Sequence, residues 1–188
     1  MYMGTRFNSP NDLTVRSDGT IYFSDPNTSQ TPSPTPQTQT RAYRVAPGGA
    51  VSVVDATLTN PNGMTLSIDE ATLYVSSNNG VFAYAVAADG STGPRPTTPI
   101  TTMNIDGMGI DCAGNLYGAV INTLNVVVFS PSGAMIGMIT VPGNPTPQGV
   151  TNVAFGGADH KRLYITAQGS SGTQGLYQVD LNVPGMPN

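Results

Sequence analysis

The chain has 188 residues, of which 10% are charged, with a formal net charge of −4 and only 7 Lys and Arg. That length suits one domain with a substantial core, and the sparse basic residues leave no electrostatic footprint for nucleic acid. No window approaches the ~20 apolar residues of a membrane span, and the single cysteine, Cys112, excludes an intrachain disulfide.

In chain order the sequence opens on Met-Tyr-Met-Gly-Thr-Arg6, which reads as neither a signal peptide nor a cap. The chain is therefore expected to start in mid-fold. At Ser9 a pattern begins that returns near residues 60, 104 and 149, roughly 45 residues apart. In each copy a polar loop carrying Asn or Asp leads into a short apolar strand, at residues 13–15, 64–66, 108–110 and 153–155. A turn follows at 17–19, 68–70, 112–114 or 157–159; where it contains Asp-Gly, a two-residue hairpin is expected. The second strand carries a Leu/Ile-Tyr pair (Ile21-Tyr22, Leu73-Tyr74, Leu116-Tyr117, Leu163-Tyr164), and period-two alternation sends the pair to opposite faces. Third strands read at 42–45, 81–85, 126–129 and 176–179, and fourth strands at 51–54 and 136–141.

With 22 Gly and 16 Pro the chain is dense in turns, and this argues against long helices. Four short strands in each copy predict an all-β fold, a β-propeller of four-stranded antiparallel blades spanning residues 1–188. Residues 27–40 interrupt the first blade with three prolines and no apolar side chain, so a loop is expected there, either an inert insertion or a rim beside the site. Four blades leave edges uncovered. The expectation is that about two more blades belong upstream, and that open edges invite self-association.

Alignment of the copies stacks Asn11, Asn62, Asp106 and Asn152 ahead of the first strand of each blade. In a propeller that strand is innermost, so Asn11, Asn62 and Asp106 would converge on one axis. Amide carbonyls with a carboxylate form an all-oxygen set suited to a hard dication such as Ca²⁺ or Mg²⁺. The competing reading is a set of Asx-turns that only satisfy the loop backbone. His160 sits in a charged turn and reads as solvated. Cys112 reads as a small, semi-buried residue beside a turn.

The segments Phe7-Asn-Ser-Pro-Asn11-Asp-Leu13, Ile21-Tyr-Phe-Ser-Asp25-Pro26, Asn60-Pro-Asn62-Gly63, Asp106-Gly-Met108, Asp111-Cys-Ala-Gly-Asn-Leu-Tyr117 and Thr151-Asn-Val-Ala-Phe-Gly-Gly157 resemble the senescence-marker-protein/gluconolactonase family. The resemblance runs from Arg6 to about Leu181. It implies a six-bladed propeller with a central divalent cation, Ca²⁺ first and Mg²⁺, Zn²⁺ or Mn²⁺ as alternatives, acting on a small-molecule lactone. Carried over, Asn62 and Asp106 match metal ligands, Asn11 matches the asparagine facing metal and substrate, and Asp106 also matches the general base. Asn152 matches no ligand and reads as a loop-turn residue. Asp25 either faces the substrate mouth or serves its Asp-Pro turn.

The family's remaining ligand, a first-blade glutamate, has no counterpart. Glu70, the sole glutamate, lies in a turn of the second copy. One carboxylate instead of two predicts weaker binding of a dication. Hydrolysis is thus the leading expectation, with a non-catalytic binding module and an inactive fragment as alternatives. The Thr- and Asn-rich, Lys-poor composition leans towards export.

Overall fold

The structure is a computed structural model that describes residues 1–27, 37–98, 100–143, 147–169 and 174–186, with the backbone alone at 147 and 148. Among the described residues there are fourteen strands and no helix. The strands form four antiparallel sheets: β1 (Leu13–Val15), β2 (Ile21–Asp25), β3 (Arg41–Val45) and β4 (Val51–Asp55); β5 (Met64–Leu66), β6 (Thr72–Ser77) and β7 (Gly80–Ala85); β8 (Ile105–Ile110), β9 (Leu116–Val120), β10 (Asn125–Phe129) and β11 (Met135–Thr140); and β12 (Pro147–Gly156), β13 (Arg162–Gly169) and β14 (Gly175–Asp180). Each sheet is a simple meander, its strands adjacent in chain order. Two compact units result, Met1–Met103 with the first two sheets and Asn104–Asn188 with the last two.

Two sheets thus have three strands where four were expected. In the second, Val81 pairs with Thr101 as an isolated bridge, through Val81 N–H to Thr101 O at 2.9 Å and Ile100 N–H to Val81 O at 2.7 Å. The spacer before it meets the end of β7 at one further isolated bridge, Val86 with Thr92, and its Pro94 and Pro96 have no N–H to offer a ladder. The 27–40 insertion lies mostly outside the described residues. Its end, Gln37, donates to the carbonyls of Tyr2 and Thr5 at 3.1 Å each.

The turns differ from expectation by one residue. Arg16 N–H bonds Thr20 O while Gly19 N–H bonds Arg16 O, which closes three residues with Gly19 at φ 87°. This is the longer hairpin with a left-handed third position. Ala46–Ala50 and Ser130–Ala134 repeat the bonding, with Gly49 and Gly133 in the same role.

Alternation then builds a core in each unit. Tyr22, Met64, Leu66, Leu73, Val75, Phe82 and Tyr84 pack together in the first unit; Ala119, Val126, Val150, Val153, Leu163 and Ile165 do so in the second. Each Val, Leu, Ile, Phe or Met among them stabilises by about 1.5–3 kcal/mol when removed from water. The buried tyrosines of the first unit have hydroxyl partners: Tyr22 donates to Gly90 O at 2.6 Å and Tyr84 to Asp55 at 2.8 Å.

Candidate functional site

The strand registers define which loop residues are equivalent. Val15 pairs with Ile21, Leu66 with Leu73, Ile110 with Leu116 and Phe155 with Leu163. Counting back from these pairs superposes Asn11, Asn62 and Asp106, as expected from the sequence. Their backbones confirm the match in the first unit: Asn11 N–H donates to Ser24 O at 3.0 Å and Asn62 N–H to Ser76 O at 2.9 Å.

The fourth copy is corrected by one residue. Ile105 pairs with Val120 and Met108 with Gly118, while Val150 pairs with Ala167 and Val153 with Ile165. Thr151, not Asn152, therefore stands at the site position, and its hydroxyl lies 2.8 Å from that of Thr166. Asn152 matches Asp12 and Gly107. The slip arose because the fourth copy's longer turn absorbs one residue, which an alignment of loops does not see.

Asn62 carries the feature that points to a ligand. Its side-chain Oδ1 is buried and has no hydrogen-bond partner among the described residues. An orphaned amide oxygen costs about 1–3 kcal/mol unless something supplies positive charge, and a hard cation does so. Asn11 is exposed at the head of β1, and Asp106 is half-buried in β8. Among the described residues no three His, Cys, Asp or Glu cluster as a metal set.

Asp25 is fully buried at the end of β2. Its two oxygens accept from Asn8 N–H at 3.0 Å and Ser9 N–H at 2.8 Å, so the carboxylate holds the loop that delivers Asn11. Burial pushes this carboxyl above its ordinary range, against the pull of those amides and of Arg41. Asp12 was not singled out from sequence, yet it reaches from the first sheet to Met64 N–H at 2.8 Å. Its burial also raises its carboxyl.

The remaining polar candidates are structural. Glu70, at φ 55°, accepts from Ser17 N–H and Oγ at 2.7 and 2.6 Å, and so ties the turns of the first two sheets. Cys112 is exposed, its thiol 3.2 Å from Gly185 O. His160 is not solvated as expected: it is half-buried, its Nδ1 has no partner among the described residues, and its carbonyl accepts from Gly185 N–H. Asp111 is fully buried and takes the amides of Ala113 and Asn115, the Asn115 side chain and the Tyr117 hydroxyl.

Residues 2–169 match the family model described as the SMP-30/Gluconolactonase/LRE-like region. The chain belongs to this family. A gluconolactonase of Zymomonas mobilis is 33% identical to this family member over 187 residues, covering 88% of the chain and 50% of the relative. A solved gluconolactonase from Xanthomonas campestris is 32% identical with a TM-score of 0.76, covering 98% of the chain and 60% of that structure. A calcium-binding regucalcin from Agrobacterium tumefaciens shares the fold, with a TM-score of 0.74 at 22% identity, over 95% of the chain and 62% of that structure. The chain spans about half the length of the curated relatives it matches.

Proposed function

We propose that the protein hydrolyses the ester bond of a sugar lactone with the help of a divalent cation, Ca²⁺ first among the candidates. Asn11, Asn62 and Asp106 are the site residues in this reading. The buried Oδ1 of Asn62, unpartnered among the described residues, is the observation that carries it. The same four-residue offset of the three residues from the last pair of the first strand, membership of the family and gluconolactonase relatives support it. In the same reading the four sheets are propeller blades, four of the six that the family resemblance implies.

When bound, the cation would polarise the lactone carbonyl and offset the charge that develops on its oxygen. Asp106 accepts the proton of the attacking water as the oxygen adds to the carbonyl carbon. The ring C–O bond then breaks, the ring oxygen takes the proton that Asp106 accepted, and a hydroxy acid leaves. The side chains of Asn11 and Asn62 orient the ring oxygens, and Asp25 keeps the Asn11 loop in place through Asn8 and Ser9. With one carboxylate in the donor set, Ca²⁺ affinity is expected in the range of roughly 10⁻⁴–10⁻³ M.

The test is a thermal melt with and without CaCl₂, beside lactone turnover by the protein in its longest natural form. A ligand at about 100 times its Kd stabilises the folded state by roughly 2.7 kcal/mol, a visible shift in midpoint. Asp106→Asn should abolish that shift and lower kcat by roughly 10²–10⁴-fold. Most of the wild-type kcat surviving in the variant would refute Asp106 as the base.

A further inference from the structure

In both units the residue that follows the site position reaches into the neighbouring sheet. In the first unit this residue is Asp12. Its Oδ1 accepts from its own next amide, Leu13 N–H, at 2.9 Å, and its Oδ2 accepts from Met64 N–H, two residues beyond Asn62, at 2.8 Å. In the second unit it is Asn152, whose Oδ1 accepts from Val153 N–H at 2.8 Å in the same local loop. The Asn152 amide lies directly on Gly107: a Cβ at Gly107 would stand 2.0 Å from Asn152 Oδ1 and 2.2 Å from its Cγ. The receiving sheets carry glycine at the matching position, Gly63 and Gly107.

Gly107 is bonded to Asp106, and the two residues form a bulge. Ile105 pairs with Val120 and Met108 with Gly118, which leaves Asp106 and Gly107 together opposite Ala119. A bulge interrupts the ladder and re-aims the side chain it carries. What packs against Gly107 therefore helps to set where the Asp106 carboxylate points. We propose that Asn152 is a positioning residue for Asp106, holding the bulge through its amide on Gly107. The inference rests on the reading of Asp106 as cation ligand and base. Asp12 performs the equivalent lock for the Asn62 loop.

The experiment is a CaCl₂ titration of the full chain, read as thermal midpoint and by calorimetry, for wild type, Asn152→Ala, Gly107→Ala and the double variant. Loss of an outer partner typically weakens a metal site by about 10–100-fold, so Asn152→Ala should raise the Ca²⁺ Kd by about 10-fold with little change in the cation-free midpoint. Gly107→Ala should weaken binding further, because its methyl expels the amide. The double variant should bind no better than Gly107→Ala, because a Cβ at Gly107 also stands 2.9 Å from Asn152 Cα, which the shorter side chain leaves in place. Asn152→Ala binding Ca²⁺ as tightly as wild type overturns the inference alone. Asn152→Ala carries the test if Gly107→Ala does not fold. A wild type that never responds to CaCl₂ overturns the cation reading itself, and the inference with it.

Discussion

Asp25 shows what burial does to a carboxylate that spends both oxygens on backbone. Asp25→Ala would leave the amides of Asn8 and Ser9 without their acceptor, a loss of roughly 3 kcal/mol in a urea melt. The pH dependence has a definite sign. Burial raises the folded-state pKa of Asp25 above its unfolded value of 3.8. A carboxyl raised in this way contributes most stability below the unfolded value and loses it as pH rises through the folded one. The deficit of Asp25→Ala should therefore be largest in acid and shrink towards neutrality; a deficit that grows with pH would contradict the burial argument. The sequence identified Asp25 as special but offered two roles. A side chain's hydrogen-bond partners are non-local, and only the fold brought residues 8 and 9 to it.

Among the strands and turns, the glycines divide by what surrounds them. Gly19 has φ 87° but open space around a built Cβ, so Gly19→Ala should cost only the left-handed strain of about 1 kcal/mol. Gly80 has φ 111°, and a Cβ there would stand 2.0 Å from the carbonyl oxygen of Thr101. That oxygen is backbone and already bonded to Val81, so it cannot yield cheaply. Gly80→Ala should therefore destabilise by roughly 3 kcal/mol. Chemical denaturation of both variants checks the contrast, and equal losses would sink it. Most strand positions were legible to within a residue or two, because period-two alternation and turn chemistry act over a few residues, but β8 and β12 begin at Ile105 and Pro147, well before the expected 108 and 153. The missing fourth strands and the one-residue longer turns were not, because both depend on how a ladder closes.

At the scale of the whole molecule, an uncovered edge is the main liability. β11 lies at the margin of its sheet, and Met135, Ile136 and Met138 are each more than half exposed along it. The strand carries no charge, and so few charged residues overall give little repulsion between copies. Self-association through this edge is expected. Met138→Lys should reduce it in light scattering while leaving the melting midpoint nearly unchanged. Association at the wild-type level in that variant would exclude the β11 edge.

By itself the sequence determined the strands, the repeated unit, the all-β class and the residue types of the candidate site. These follow from local alternation, from turn residues with positive φ, and from polar residues recurring at one place in each repeat. The tertiary structure decided the rest. Register moved the fourth site position from Asn152 to Thr151, because a bulge and a longer turn trade one residue where no local rule records it. Packing gave Asn152 a contact on Gly107, gave Asp25 two amides, and left Asn62 Oδ1 buried without a partner among the described residues. Each of these depends on segments distant in sequence, and a pattern read along the chain carries no information about what will lie across from it.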